Sequence, residues 1–215
     1  MCVTSRSRVI IADDHVLVAA ALKQLLTNHF EVVATVHDGR SLIQAAQTFS
    51  PDVILVDISM PLLNGLDAAE RIKRASPSTK IIYVTINHDP ELVAESLRRG
   101  ADGYLLKTAA ASELVAAVKC TLAGGCYVSP ALEAQTVQPQ SSERTSDRFT
   151  DKLTERQIDV LQLLAEGRSM KEVASVLNLT TRTVAFHKYR LMNGLGLRND
   201  AEIVQYAVRN HMLAA

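Results

Sequence analysis

The pattern of apolar and polar positions changes repeatedly between residues 8 and 125. Short β-branched runs such as 52–58 (DVILVDI) are apolar on both faces, which is typical of central strands in a parallel sheet. They alternate with stretches whose apolar residues recur at i, i+3 and i+4, a spacing that favours helices. Strands are predicted at 8–12, 31–36, 52–58, 80–86 and 103–107, and helices at 16–28, 39–49, 65–75, 89–99 and 110–123. This alternation predicts an α/β fold with a five-stranded, doubly wound parallel sheet and helices on both faces.

The alternation ends near residue 127, and a different pattern follows. Residues 135–148 contain a single apolar side chain, Val137, and cannot bury a core of their own. Residues 151–213 carry no convincing strand pattern and predict four helices, at 155–165, 170–177, 181–192 and 200–210. We therefore predict an α/β domain over 1–127, a flexible linker over 128–150 and a small all-α domain over 151–215.

Composition and charge narrow the class of protein. The 215 residues are 47% hydrophobic and 21% charged, as in ordinary globular proteins, and the apolar runs are far shorter than the roughly 18 residues of a membrane span. We expect a cytoplasmic, soluble protein with no membrane partner. The three cysteines, Cys2, Cys120 and Cys126, lack zinc-site spacing, and their odd number argues against a disulfide scaffold.

The formal net charge of zero is the sum of two unlike parts. Residues 1–147 hold 13 Lys and Arg against 16 Asp and Glu, a net of −3, whereas residues 148–215 hold 10 against 7, a net of +3. A uniformly acidic or basic protein is excluded. An acidic domain followed by a mildly basic one is compatible with a cation site in the first and an anionic partner for the second.

Chemically suited side chains follow four of the predicted strands. Asp13 and Asp14 come after the first strand, Asp57 ends the third, Thr85 ends the fourth and Lys107 ends the fifth. Ligands of open parallel sheets bind outside the carboxyl ends of the strands, so these groups are expected at one edge. Grouped carboxylates need a neutralising cation, and oxygen ligands suit Mg²⁺. A carboxylate on the central strand can then act as a nucleophile towards a phosphoryl group.

Each of these residues alone has an ordinary structural explanation. A single aspartate after a strand commonly caps a helix or forms a turn, a threonine in a strand reflects β propensity, and a lysine is usually solvated. Their coincidence at four strand ends favours a functional site.

The segments IIADDH, ILVDISMPLLNGLDAAERI, VTI and GYLLKT resemble the receiver domain of two-component response regulators, over essentially all of residues 8–125. The resemblance implies a flavodoxin-like fold in which Asp57 accepts a phosphoryl group from a histidine kinase. It implies that Asp13, Asp14, Asp57 and the backbone carbonyl of Ser59 bind Mg²⁺ (or Mn²⁺). Pro61 and Gly65 are expected to shape the loop after Asp57, because proline fixes φ and glycine allows a close approach.

The same resemblance assigns a phosphoryl-binding and switching role to three further residues. Thr85 and Lys107 would contact the phosphoryl group, and Tyr104 would swing inward when Thr85 moves; Tyr104 also fits an ordinary core position. His15 is expected to be a loop residue rather than a ligand. Ser59 and Asn87 occupy positions that vary within the family and tune the lifetime of the phosphoryl group.

Residues 168–193 are predicted to form a helix, a turn and a second helix with an exposed basic face. Alone, this pattern equally fits a small helical bundle with a solvated charged stripe. LTERQIDVLQLLAEG at 153–167, followed by KEVA and TV-x-x-H, is similar to the LuxR-type helix-turn-helix of NarL/FixJ response regulators. The resemblance implies major-groove binding by helix 181–192. The candidate DNA contacts are Thr181, Arg182, Thr183, Ala185, Phe186, His187, Lys188, Tyr189 and Arg190.

This recognition helix departs from the family pattern. Ala185 stands where lysine is common, Tyr189 stands where a basic residue is frequent, and Asn193 and Gly194 replace a lysine-rich end. Fewer cations imply weaker non-specific affinity and a shallower salt dependence. Phe186 and Tyr189 fit contacts with thymine methyls or sugars, and they fit packing equally well.

The residues together predict a phosphorylation-dependent transcriptional regulator that binds double-stranded DNA as a homodimer when active. It would be no enzyme beyond catalysing its own phosphotransfer and dephosphorylation. Two alternatives stay open. A phosphatase using Asp57 as a turnover nucleophile would want a carboxylate closely after it, where Ser59 stands. A phosphorylation-independent DNA-binding regulator would use the receiver as a dimerisation module.

Overall fold

The structure is a computed structural model that describes residues 6–109, 111–132 and 153–213. These residues form two compact units. The first alternates strands and helices: β1 (Arg8–Ala12), α1 (Val16–Thr27), β2 (Glu31–Val36), α2 (Gly39–Phe49), β3 (Val53–Val56), α3 (Gly65–Ala75), β4 (Lys80–Thr85), α4 (Pro90–Arg98), β5 (Gly103–Leu106), α5 (Ala111–Leu122) and β6 (Tyr127–Val128). The second contains α6 (Glu155–Ala165), α7 (Met170–Leu177), α8 (Thr181–Leu195) and α9 (Asp200–Arg209).

The first unit is the predicted parallel α/β sheet, with one strand more than expected. Its order is β2-β1-β3-β4-β5-β6, and every neighbouring pair is parallel. Strands β1 and β3 each have a neighbour on both sides, and their apolar side chains are buried, as the double-faced apolar pattern predicted. The positions of β1, β3, β4 and β5 bring the ends of four strands to one edge.

The prediction of five strands was wrong, because a sixth strand, β6, begins two residues after Gly125 and is only two residues long. Its Tyr127 pairs with Gly103 of β5, and a Cβ atom added at Gly103 would lie 3.0 Å from the carbonyl oxygen of Tyr127. Val128 therefore belongs to the sheet although we predicted it as the first linker residue. Residues 133–150 of the predicted linker, and Ala110 of the predicted fifth helix, lie outside the described residues.

The second unit is a four-helix domain whose helices begin at the predicted residues. Thr154 and Ser169 each form a reciprocal capping box, with Gln157 and Glu172 respectively. The predicted recognition helix, α8, is capped by Thr180 and continues to Leu195, three residues beyond the prediction. It ends at Gly196, whose φ of +69° is a left-handed conformation that suits glycine.

The described residues contain no helix that is both long enough and apolar enough to cross a bilayer.

Candidate functional site

Four side chains meet where the loops leave β1 and β3. Asp13 and Asp57 are buried, and ligand atoms of Asp13, Asp14, His15 and Asp57 all lie within 4.8 Å of one another. The predicted carboxylate group is thus assembled by the neighbouring strands β1 and β3. Three carboxylates so close together repel each other unless a cation lies between them.

Lys107, directly after β5, supplies one cation to this group. Its Nζ lies 2.8 Å from Oδ2 of Asp13 and 2.8 Å from Oδ2 of Asp57. Its backbone N–H donates to the carbonyl oxygen of Thr85 at 2.8 Å, which holds the end of β5 beside the end of β4. These two carboxylates raise the pKa of Lys107 against the opposing effect of burial. The ammonium group is therefore held in its charged form at the centre of the site.

Asp57 is held in a fixed orientation by its neighbours. Its Oδ1 accepts a hydrogen bond from the backbone N–H of Ile58 at 2.8 Å, while its Oδ2 faces Lys107. Burial raises the pKa of Asp57, and the nearby Asp13 and Asp14 add to the effect, while Lys107 opposes it. A carboxylate that is costly to bury and oriented on both oxygens has the character of a reactive group.

The loop after β3 passes so close to Asp57 that it requires glycine at position 65. The N–H of Gly65 donates to the carbonyl oxygen of Ile58 at 2.7 Å, and a Cβ atom at this position would lie 2.0 Å from the carbonyl oxygen of Asp57. Ser59 lies in the same loop and is half-buried. The loop is therefore closed tightly over the backbone of Asp57.

The two predicted switch residues, Thr85 and Tyr104, both bind the backbone of Asn87. The N–H of Asn87 donates to Thr85 Oγ1 at 3.1 Å, and the hydroxyl of Tyr104 donates to the carbonyl oxygen of Asn87 at 3.2 Å. Oδ1 of Asn87 in turn accepts the N–H of Asp89, the residue that caps α4. Tyr104 is fully buried, so its side chain is already inward while the Thr85 hydroxyl is bonded to Asn87, whereas we expected it to swing inward only when Thr85 moves.

In the second unit, α8 exposes one continuous face. Arg182, Phe186, Tyr189 and Arg190 are exposed along it, whereas Val184 and Leu191 are buried on the opposite face. This spacing follows the helical period, so the four side chains project together. The face combines two cations with two aromatic rings.

The other predicted contacts on α8 lie at the margins of this face. Thr181 is exposed at the first turn, and Ala185 and His187 are partly buried. Thr183 is partly buried, and its N–H donates to Oγ1 of the capping Thr180 at 3.1 Å. The first turn thus presents a short polar patch beside Arg182.

Comparison with known proteins identifies both units. Residues 9–119 match the family described as the response regulator receiver domain, and residues 151–207 match the LuxR family of bacterial regulatory proteins. The chain belongs to the two-component response regulators. It combines a receiver domain with a LuxR-type DNA-binding domain, and it is a phosphorylation-dependent transcriptional regulator.

Relatives match this response regulator over nearly its whole length. It is 37% identical to the oxygen regulatory protein NreC of Staphylococcus aureus (strain bovine RF122 / ET3-1), over 96% of this chain and 99% of NreC. An RcsB response regulator from Salmonella typhimurium matches with a TM-score of 0.60 at 27% identity, over 96% of this chain and all of the RcsB chain. A structure of an RcsB–DNA complex matches with a TM-score of 0.59 at 28% identity, over 95% and 98% of the two chains.

Two residues of the response regulator have surroundings that the sequence did not indicate. His15 was predicted to be an ordinary loop residue, yet its Nδ1 lies 2.8 Å from Oδ1 of Asp14 and 3.4 Å from Oδ1 of Asp13. Lys188 was predicted to contact DNA, yet its Nζ lies 2.5 Å from Oδ1 of Asp200 and its side chain is only 14% exposed. The ion pair of Lys188 joins two helices, so a reading of α8 alone does not reveal it.

The raised pKa of Asp57 predicts that this residue lowers the free energy of unfolding by an amount that depends on pH. The unfolded chain ionises Asp57 near the ordinary value of 3.8 and the folded chain ionises it at higher pH, so stability falls as pH rises through that interval. Asn does not titrate. With a metal chelator present, the free energy of unfolding of Asp57→Asn relative to the wild type should therefore increase as pH rises above about 3.8, and it should level off once the folded wild type is fully ionised at Asp57.

Thermal or denaturant unfolding of the two proteins across this pH range measures the effect. A difference that stays constant with pH would contradict the raised pKa of Asp57.

Proposed function

We propose that Asp57 is the phosphoacceptor of this response regulator. The observation that carries the proposal is the contact of Lys107 with both Asp13 and Asp57 at the carboxyl edge of the sheet. An oxygen of the Asp57 carboxylate attacks the phosphorus atom of a phosphohistidine on a partner histidine kinase, or of a small acyl phosphate. The new O–P bond replaces the bond to the donor, and the leaving imidazole or carboxylate departs with the electron pair.

The carboxylate group fits a hard divalent cation. Asp13, Asp14 and Asp57 offer oxygen ligands within 4.8 Å, and three negative charges favour a divalent ion over a second lysine. Together with the backbone carbonyl of Ser59, these residues would hold Mg²⁺ (or Mn²⁺). The cation supplies neutralisation of the phosphoryl charge.

Lys107 and Thr85 complete the phosphoryl site. Lys107 already lies 2.8 Å from Asp57, so its ammonium group is positioned to pair with a phosphoryl oxygen after transfer. The Thr85 hydroxyl is held by the N–H of Asn87 until a phosphoryl oxygen competes for it. This chain catalyses only its own phosphotransfer and dephosphorylation.

Movement of Thr85 transmits phosphorylation to α4. When its hydroxyl turns towards the phosphoryl group, the N–H of Asn87 loses an acceptor and the Asn87–Asp89 turn is released. Tyr104 keeps its hydroxyl on the carbonyl of Asn87 and holds the loop in its new position. The surface that changes is therefore the region from 89 to 123.

The altered receiver surface promotes a homodimer whose two α8 helices enter successive major grooves of double-stranded DNA. Two RcsB dimers bound to two parallel DNAs form one of the matching structures, with a TM-score of 0.59 at 27% identity. The DNA contacts are made from the exposed face of α8, with Arg182 and the first-turn threonines Thr181 and Thr183 at phosphates. Ala185 and His187 border the bases.

Removing Arg182 should weaken DNA binding, and removing Lys188 should weaken it less. Arg182 is exposed on the outer face of α8, whereas Lys188 is paired with Asp200. Loss of one phosphate contact in each protomer reduces affinity on all sequences alike and lowers the slope of log affinity against log salt by about 1 per protomer, hence by about 2 for the dimer. Arg182→Ala should show this reduction and Lys188→Ala a smaller one.

Fluorescence anisotropy with a labelled duplex, measured over a series of salt concentrations, compares the two variants directly. Equal slopes for the wild type and Arg182→Ala would remove Arg182 from the phosphate contacts.

The phosphoacceptor assignment is tested by label transfer from radiolabelled acetyl phosphate in the presence of Mg²⁺. The wild type should become labelled and Asp57→Asn should not.

A further inference from the structure

Two aromatic side chains on α8 are exposed although aromatic residues are scarce in this chain. Phe186 is 55% exposed and Tyr189 is 64% exposed, while aromatic residues make up 4% of the sequence. Exposed aromatic rings on a face that also carries Arg182 and Arg190 are typical of a surface that becomes buried against a partner. The proposed partner of this face is double-stranded DNA.

The ring of Phe186 is held by its neighbours on the same helix. The guanidinium carbon of Arg190, one helical turn further on, lies 5.6 Å from the ring centroid. The ring of His187 meets the ring of Phe186 edge to face, with centroids 5.7 Å apart. This cation–π contact places the guanidinium of Arg190 over the ring of Phe186, so the two side chains form one preorganised unit on the exposed face.

Among the described residues, no lysine is free to contact bases at the centre of this face. Lys188 turns towards Asp200, and its Nζ is 2.5 Å from that carboxylate. Ala185 contributes only a methyl group. The exposed residues of α8 after Arg182 are therefore Phe186, Tyr189, Arg190, Asn193 and Gly194, so its exposed side chains there are two aromatic rings, one guanidinium and one amide.

We infer that Phe186 and Arg190 act as a pair that determines sequence specificity by reading a thymine and a guanine close together in the major groove. The inference rests on the proposed DNA-binding function of α8. The C5 methyl of thymine is the apolar group that the major groove offers to a phenyl ring, and guanine O6 and N7 accept both hydrogen bonds of an arginine fork.

Helix geometry sets the spacing of the two bases. Four residues of α-helix rise about 6 Å, and base pairs of B-DNA are spaced about 3.4 Å apart. Phe186 and Arg190 therefore reach bases that are one or two base pairs apart. The pair selects half-sites in which T and G occur at that spacing.

The test begins with selection of duplexes from a random-sequence library by the full-length wild-type chain, with acetyl phosphate and Mg²⁺ present. In the selected half-site, each thymine is replaced in turn by deoxyuridine, which removes only the methyl group. Each guanine is replaced in turn by 7-deazaguanine, which removes only the N7 acceptor. Affinities are then measured for the wild type, Phe186→Ala, Phe186→Leu and Arg190→Ala.

The wild type should lose about fourfold in affinity at one thymine, the value of one buried methyl group. It should lose at least about fivefold at a guanine one or two base pairs away. Phe186→Ala should lose the thymine effect and Phe186→Leu should keep most of it, while Arg190→Ala should lose the guanine effect. Val204→Ala removes an exposed apolar side chain from α9 and should keep both effects.

Three outcomes would overturn the inference. They are a wild type that tolerates deoxyuridine at every thymine, a Phe186→Ala protein that keeps the methyl effect, and a Phe186→Ala protein whose dimerisation in sedimentation fails while its base preferences persist. Because Phe186 is more than half exposed, its variants should melt at the wild-type temperature. Failure of the wild type to retain any duplex would contradict the proposed DNA binding itself, and the inference with it.

Discussion

Replacing Asp57 by asparagine is expected to reduce phosphorylation by acetyl phosphate to below about one-hundredth of the wild-type level, as removal of a nucleophile does in general. Asparagine keeps the shape of the side chain and a carbonyl oxygen for the N–H of Ile58, but it lacks the anionic oxygen that attacks phosphorus. Lys107 retains its contact with Asp13, so the site keeps one of its two ion pairs. The loss should therefore be chemical rather than a consequence of unfolding.

Asp52→Asn is the matched control for this substitution. Asp52 lies just before the opposite end of β3, is exposed, and accepts the N–H of Arg8 at 2.7 Å. Its replacement should leave labelling at the wild-type level. Label on Asp57→Asn equal to that of the wild type would place the acceptor on another residue and would contradict the proposed role of Asp57.

Replacing Gly65 by alanine is expected to damage both stability and phosphotransfer. The added Cβ would lie 2.0 Å from the carbonyl oxygen of Asp57, and that oxygen belongs to the backbone and cannot rotate away. The loop after β3 must shift, at a cost of about 1–3 kcal/mol in the free energy of unfolding. Because displacement of reacting groups by about 1 Å costs up to about 100-fold in rate, phosphorylation should slow by about 10- to 100-fold.

Gly194→Ala provides a control in which the same substitution should raise, rather than lower, the free energy of unfolding. Gly194 lies inside α8, and a Cβ atom there would meet nothing within 4 Å. Alanine should stabilise the helix by about 0.5–1 kcal/mol and leave phosphorylation unchanged. Urea unfolding and the initial rate of label uptake measure both variants. A Gly65→Ala protein with wild-type stability and rate would show that the loop over Asp57 is not held as tightly as the structure has it.

The carboxylate site was predictable because strand ends are visible in the sequence. Asp13, Asp57 and Lys107 each follow a buried apolar run, and the topology of parallel sheets then brings the ends of those runs to one edge. The topology alone therefore predicts that these residues meet. In the structure, Nζ of Lys107 lies 2.8 Å from an oxygen of Asp13 and 2.8 Å from an oxygen of Asp57.

Other features depend on contacts between elements and could not be predicted from the sequence. Strand β6 has two residues, too few for a period-two pattern, and its pairing depends on the bare backbone of Gly103. The ion pair of Lys188 with Asp200 joins α8 to the start of α9, so it depends on the three-dimensional arrangement of the two helices. The hydrogen bond from the Tyr104 hydroxyl to the carbonyl of Asn87 depends on a loop whose course no periodicity predicts.

The measurement that tests the central claim most directly is the DNA affinity of the full-length chain with and without acetyl phosphate and Mg²⁺, for the wild type and for Asp57→Asn. Phosphorylation should tighten binding of the wild type to its selected duplex and leave Asp57→Asn unchanged. Equal affinity of the phosphorylated and unphosphorylated wild type would contradict control of DNA binding through Asp57 and would favour a regulator whose receiver serves as a dimerisation module alone.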